Sequence, residues 1–514
     1  MGLIGDAGLD NFYSIIGCTL SQSKGILEKN LEKATSSPTV SFMLRNGAIN
    51  SMRIMPSDVV NLWNKRFEKI CTLENELASF LTPSSKDTKD MQDDAMGQLS
   101  FNDSYFKCLN IIPFVLFGMA IFKVWIVPAL AISTPIFAWI LPYIFLKFMY
   151  KLPISQEQYG EIMKMVWSGN PLDFKKGLVP GAEKPSMFTA RSIVQWLFMG
   201  ASFAQSLIQP IQNSIHLYKT DSTAYANGQR ILELKKLYRE MAEDCRKYNI
   251  KILLRNSLED IPEDPRRAIR ILMDESQRFH ICMKDLAELE IMWRIANCPS
   301  LKHAVILESG GPLLSASNLY DISLGKDAIS STITFTKASN HAALTGPNGG
   351  GKSSFLRSIL QAVLLGQTYG VSTADNLTLR RFGWISSGLR LQDAPGNLSM
   401  FETEVWFAAN LLKKTHQHGA PGLVLYDELF HSTNPPDGIR TAEKFLERLW
   451  KRESVMSIVS THVFSLVEKA PAHVKKICCN ASLEADGSIE YDYAIRDGIC
   501  MVSSVHSIWK RFEL

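Results

Sequence analysis

The apolar run His341-Ala-Ala-Leu-Thr345 passes straight into Gly346-Pro347-Asn348-Gly349-Gly350-Gly351-Lys352-Ser353, and a helix-forming stretch from Ser354 to Gln367 follows. The spacing is G-x-x-x-x-G-K-[ST] in a strand–loop–helix setting, the pattern of a phosphate-binding loop. Glycines let successive backbone N–H groups converge on phosphate oxygens, and the helix N-terminus adds its dipole. Lys352 is placed to reach the β- and γ-phosphates of a nucleotide such as ATP, and the Ser353 hydroxyl to ligate Mg²⁺, with Ser354 completing the loop. A second apolar run, Leu423-Val-Leu-Tyr426, ends in Asp427-Glu428. An aspartate there can hold Mg²⁺ directly or through water, and the adjacent glutamate can orient or deprotonate an attacking water. A third run, Met456 to Ser460, ends in Thr461-His462, where the imidazole either senses the γ-phosphate or caps the next helix.

These pieces need a sheet to carry them. After Pro299 short β-branched runs alternate with helical stretches, which predicts an α/β domain over 301–514. Upstream the pattern is helical: Ser57 to Leu81 keeps one apolar stripe, and residues 82–100 read as a polar linker within an N-terminal region 1–107. Between Leu109 and Leu146 only Lys123 is charged, and Val124–Leu146 is an uncharged run of 23 residues. A bilayer crossing needs about 20 such residues, so 108–150 is expected to form a transmembrane hairpin of two runs, 109–122 and 124–146; a buried helical pair is the alternative. Lys107, Lys147 and Lys151 would place its flanks in the cytoplasm. Ser192–Ile215 is also uncharged but carries Gln195, Gln205, Gln209 and Gln212, and reads as a packed helix. Residues 151–300 otherwise form a helical, lever-like region, with an antiparallel arm turning at Ile261–Pro265. The basic residues Lys235, Lys236, Arg239, Arg246, Lys247, Lys251 and Arg255 form either a solvated face or a phosphate contact.

Composition sets the bounds. The 514 residues imply two or three domains, and 46% hydrophobic with 21% charged residues excludes a disordered chain. A formal net charge of +4 is too small to argue nucleic-acid binding by itself. Nine scattered cysteines without a C-x-x-C pair fit a reducing compartment better than a disulfide framework. The N-terminus lacks the basic start and apolar core of a secretion signal, so the protein is not expected to be secreted.

In their order and spacing the chemical motifs resemble those of the MutS family of mismatch-repair ATPases, within the wider ATP-binding-cassette class. The family's G-P-N-M-G-G-K-S-T is similar to Gly346–Ser354, with Gly349 for Met and Ser354 for Thr. Its D-x(5)-S-T-F-x-x-E resembles Asp393 to Glu404, and its D-E-[LI]-G-R-G-T-x-x-x-D-G matches Asp427 to Gly438 without a gap. Thr461-His462 and the closing Tyr493–Gly498 follow in order, and Asp285–Glu290 looks like the end of the family's lever helix. The resemblance implies an ATPase using ATP and Mg²⁺, a homodimer or a heterodimer with a related subunit, and closure of that dimer around DNA. It also implies that Ser399 faces the γ-phosphate bound by the other subunit; an N-cap of the helix Met400–Lys414 is the local alternative. Three features depart from the family. Phe430-His431-Ser432 replaces Gly-Arg-Gly, and no segment resembles the mismatch-reading domain. The adenine-stacking aromatic falls near Ala328, with Tyr320 as a substitute. The fold expected is therefore α plus α/β: lever helices, a transmembrane hairpin and a cassette-type P-loop ATPase domain. Lys352, Glu428, His462 and Ser399 are the candidate catalytic residues. The ATPase is expected on the cytoplasmic or nucleoplasmic side of a membrane. A membrane-tethered mechanical ATPase acting on a protein or membrane partner, without DNA, is the rival function.

Overall fold

The computed structural model describes residues 2–81, 94, 96–101, 105–112, 114–168, 190–390, 399–417, 419–484 and 489–502. Most of the predicted linker 82–100, and residues 393–398 of the serine motif, lie outside them. The architecture is helical with an α/β sheet region. Eleven strands are described: β1 (Lys302–Leu307), β2 (Leu314–Leu319), β3 (Ser331–Phe335), β4 (His341–Thr345), β5 (Val371–Ser372), β6 (Asn376–Arg380), β7 (Trp384–Gly388), β8 (Gly422–Tyr426), β9 (Val455–Ser460), β10 (Val474–Leu483) and β11 (Ile489–Asp497). One sheet has the order β3-β2-β6-β1-β5, the other β11-β10-β4-β9-β8-β7. In the second, β10, β4, β9, β8 and β7 are parallel to their neighbours and β11 closes the edge antiparallel. Every residue of β4, β8 and β9 is buried, as parallel strands covered on both faces require. Because these three strands are parallel and adjacent, the segments that follow them emerge along one edge of the sheet.

Two compact units divide the chain. The first comprises Met1–Cys71, Leu237–Asn256 and His280–Leu514; the second comprises Thr72–Lys236 and Ser257–Phe279. The first 71 residues thus pack with the sheets rather than standing apart. The side chain of Glu290, fully buried, accepts from Thr19 N–H and Thr19 Oγ1 at 2.8 Å, from Leu20 N–H at 3.1 Å and from Ser23 Oγ at 2.7 Å. Gln361 Nε2 donates to the Ala7 carbonyl at 2.8 Å, and Gln367 Nε2 to that of Ala34 at 3.2 Å, so the helix behind the phosphate loop holds the N-terminal helices. Asp285 is buried and accepts from Tyr238 Oη, Arg255 N–H and the Arg255 guanidinium. In the second unit the Lys235 ammonium is buried and donates to the Ile261 carbonyl and to Glu263. Two members of the basic cluster, Arg255 and Lys235, are therefore committed to internal partners. The expected arm is broken: one helix, Ala190–Lys247, ends well before residue 261, and the return is split into Pro265–Asp274 and Gln277–Asn297.

The expected turn at Lys123 is absent, which corrects the hairpin assigned to 108–150. Residues Val115–Met149 run as one helix, with π-helical turns at Phe122–Ile126 and Phe145–Met149. A lone lysine carries no turn chemistry, and no Gly, Asn or Asp stands beside it to reverse the chain. This helix is long and apolar enough to cross a membrane, and it is mostly exposed.

Candidate functional site

The phosphate loop leaves β4 and ends on the helix Lys352–Tyr369, which starts two residues earlier than its sequence suggests. Gly346 has φ 141° and passes so close to β10 that an added Cβ would stand 2.9 Å from the Cys479 carbonyl oxygen. Gly351, with φ 94°, is the N-cap of the helix. Both positions require glycine for reasons of backbone rather than ligand. The loop opens onto a cavity of about 560 Å³, within the size range of small-molecule sites. Asn348 to Ser354 form its floor, and Glu428, Asp321, Leu324, Ile329 and Tyr493 stand among its walls.

Lys352 is almost fully buried, and its Nζ donates to the carbonyls of Gly346 and Pro347, each at 3.1 Å. Gly346 and Pro347 thus position the ammonium and do not line the cavity themselves. Burial pushes the ammonium pKa down, against the pull of the Glu428 and Asp427 carboxylates. Ser353 Oγ donates to Asp427 Oδ2, joining the loop to the end of β8 across 74 residues. Ser460, the last residue of β9, donates from Oγ to the other oxygen of Asp427 and accepts the Glu428 N–H at 2.7 Å. Glu428 sits in the left-handed region at φ 51°, a strained conformation for a residue with a side chain. Its carboxylate lies 3.4 Å from His462 Nε2, and that contact holds its pKa below the usual range; Lys352 and His431 assist while burial opposes. A hydroxyl and a carboxylate converging without nitrogen or sulfur suit a hard cation such as Mg²⁺, so Ser353 and Asp427 fit that ion.

The remaining candidates fall elsewhere. Ser399 is exposed, outside the cavity, and heads the helix Met400–Gln417. It forms a reciprocal cap with Glu402: Ser399 N–H and Oγ donate to Oε2 at 2.9 Å, and Glu402 N–H returns to Ser399 Oγ. Tyr320 is not on the cavity wall; its hydroxyl donates to the Ser300 carbonyl at 3.1 Å. The wall is fixed instead by Asp321, which accepts from Arg357 Nε at 2.9 Å and from Gln361 Nε2 at 2.6 Å. At the family's Gly-Arg-Gly position, Phe430 has a positive φ of 51° and buries its ring against Phe401, Tyr426 and Phe445. His431 Nδ1 lies 2.9 Å from both the Glu428 carbonyl and buried Glu404, and Ser432 Oγ donates to Glu404 at 2.7 Å. Ser460, Asp321 and Tyr493 are the contributors that sequence reasoning missed. Ser460 had a signal, its place directly before Thr461-His462, that only the strand order makes legible.

Residues 342–508 match the family model for MutS domain V. Through this segment, the C-terminal third of the chain, the protein is similar to the MutS family. It is 26% identical over 228 residues to the DNA mismatch repair protein MutS of Streptococcus equi subsp. equi (strain 4047), covering 42% of this chain and 26% of that protein. A second DNA mismatch repair protein MutS, from Streptococcus pyogenes serotype M18 (strain MGAS8232), is 24% identical over 228 residues with the same coverage. A third, from Streptococcus pyogenes serotype M5 (strain Manfredo), is 26% identical over 175 residues, 34% of this chain and 20% of that protein. The chain spans about a quarter of the length of the first of these MutS relatives. The match with the MutS domain begins at the phosphate-loop strand and includes the carboxylate pair and His462.

Proposed function

We propose that this MutS-family chain binds and hydrolyses ATP with Mg²⁺, and that a dimer of its ATPase domains couples nucleotide binding to clamping of DNA. The observation that carries the ATPase reading is the junction of Ser353, Asp427 and Ser460 beside Lys352 and Glu428 at the mouth of one cavity. Ser353 and Asp427 would hold Mg²⁺, which neutralises charge on the β- and γ-phosphates when bound. The loop N–H groups and Lys352 bind the phosphates. Glu428, kept ionised by His462, accepts the proton of the attacking water. Exposed Ser399, at a helix N-terminus, is free to approach the nucleotide of a second subunit, homologous or related, while it caps its own helix. The DNA role rests on the mismatch-repair relatives and on nothing in the charge of this chain.

A second reading has its own support. The exposed apolar helix Val115–Met149 favours a membrane-tethered ATPase that acts on a protein or membrane partner, with the ATPase domain on the cytoplasmic or nucleoplasmic side. The test is the ATPase rate of the full chain in detergent, with and without homoduplex, mismatched and branched DNA, at two salt concentrations. Stimulation by DNA that fades at high salt and is absent in Lys352→Ala supports the clamp. Hydrolysis indifferent to every DNA supports the tethered engine. Absence of Mg²⁺-dependent hydrolysis under all conditions overturns both.

A further inference from the structure

Two uncharged stretches lie in the segment 72–236. Val124–Leu146 has 23 residues and lies in the helix Val115–Met149; Ser192–Ile215 has 24 and lies in the helix Ala190–Lys247. At ~1.5 Å per residue each extends roughly 35 Å, against a bilayer core of about 30 Å, but among the described residues only Val115–Met149 is also apolar enough to cross by itself. They meet where the first begins and the second ends. Pro128 leaves the Val124 carbonyl without the N–H donor four residues on. Ser214 Oγ supplies it instead, donating to that carbonyl at 2.6 Å. Serine hydroxyls satisfy freed carbonyls in this way where water is excluded. Leu217 packs with Ala120 and Val124, and the Trp125 and Tyr218 rings meet edge-on at 6.4 Å.

A second aromatic level lies further along the first stretch, where Trp139 and Tyr143 contact Tyr159 at 6.1 and 5.1 Å. It is roughly 20–30 Å from the first along the helix axis. Paired levels of Trp and Tyr at that separation mark the two faces of a bilayer. Between them Leu130 and Ile136 are each 57% exposed, an apolar surface that water does not favour. Gln205, Gln209 and Gln212 recur at i, i+4 and i+7, so their amides share one helix face.

Connectivity supplies the decisive constraint. The segments that flank it, Met1–Cys71 and Leu237–Asn256, belong to one compact unit with His280–Leu514, fastened by the Glu290 contacts to Thr19, Leu20 and Ser23. The chain between must leave and return on the same side, so its crossings are even in number. A lone span by Val115–Met149 is excluded. We infer that the protein crosses a lipid bilayer twice, out through 124–146 and back through 192–215, with residues 147–163 on the far face. This rests on the membrane-tethered reading above. It replaces the hairpin of 109–122 with 124–146, and it moves Lys147 and Lys151 to the face opposite the ATPase.

The test labels the full chain in sealed vesicles of the expression host with a membrane-impermeant PEG-maleimide. Exposed Ser155→Cys and exposed Ser36→Cys are each read as one added mass shift over the pattern of the native cysteines. An alkaline carbonate wash is run in parallel. The expected result is retention after carbonate, with Ser36→Cys and Ser155→Cys labelled from opposite faces. Retention with both labelled from one face leaves the tether standing and overturns the double crossing. Release by carbonate overturns the tether and the crossing together.

Discussion

Ser460 is the residue through which two carboxylates and the phosphate loop are held in one arrangement, and Ser460→Ala should expose that role. The substitution removes the hydroxyl that donates to Asp427 and accepts the Glu428 N–H. A hydrogen bond to a charged group contributes about 1.5–3 kcal/mol, and a buried N–H left unpaired costs about 1–3 kcal/mol. These overlap in one side chain, so the expected loss of stability is about 2–4 kcal/mol. The turn that keeps Glu428 at φ 51° loses its anchor, and Asp427 keeps only its contact to Ser353. Misplacing the base and the metal-facing carboxylate should lower the turnover rate by about ten- to a hundredfold, or ~1.4–2.8 kcal/mol of barrier. The assay is single-turnover phosphate release across a Mg²⁺ titration, with nucleotide binding measured alongside. Ser460→Ala should need more Mg²⁺ for half-maximal rate yet bind nucleotide nearly normally, and Ser460→Thr, which keeps a hydroxyl, should recover most of the rate. A Ser460→Ala protein that hydrolyses at the native rate with the native Mg²⁺ dependence would refute the reasoning.

Glu428→Gln should keep nucleotide affinity and slow phosphate release by about 10²–10⁴-fold, the range of a lost general base, checked by rapid quench. His341, fully buried at the start of β4 with Nδ1 2.7 Å from Ser457 Oγ, has its pKa pushed down to about 4 by burial and by neighbouring His473. Its folded value lies below the unfolded one, so between pH 6.5 and about 4 the unfolded chain takes up a proton that the native chain refuses, and stability falls as pH falls. The difference is about 3 kcal/mol and should flatten in His341→Gln, as read from thermal unfolding at stepped pH. Glu290→Ala leaves the Thr19, Leu20 and Ser23 donors without their acceptor and should cost about 3–5 kcal/mol. Hydrogen exchange over residues 19–31 should rise selectively; unchanged protection there would contradict the proposed anchor.

What the sequence disclosed and what it hid divide along contact range. The phosphate loop is legible because its glycines, lysine and serine are contiguous and their geometry is local. Asp427-Glu428 is legible as an acidic step after an apolar strand. Ser460 is silent because its role depends on β9 lying between β4 and β8, a fact of sheet order. The Tyr320 assignment failed for a related reason: proximity in sequence to Ala328 did not put its ring on the wall, whereas distant Tyr493 reaches the cavity from β11. At Phe430, where the family's motif has glycine, the backbone is left-handed, and packing of the ring in an aromatic cluster offsets the strain. A lysine between two apolar runs suggests two arms in 109–146, but it carries no turn chemistry and the helix Val115–Met149 runs through it.

The Glu290 anchor also orders events in time. Its partners Thr19 and Ser23 are made 267–271 residues earlier, and at a synthesis rate of ~5–20 residues per second they wait roughly 15–50 s for it. Through that interval Phe12, Leu20, Leu27 and Leu31, all buried in the finished fold, have only the neighbouring N-terminal helices to cover them. The intervening residues, including both uncharged stretches, emerge first. The N-terminal helices therefore complete their packing only after the segment that carries Glu290 has been made.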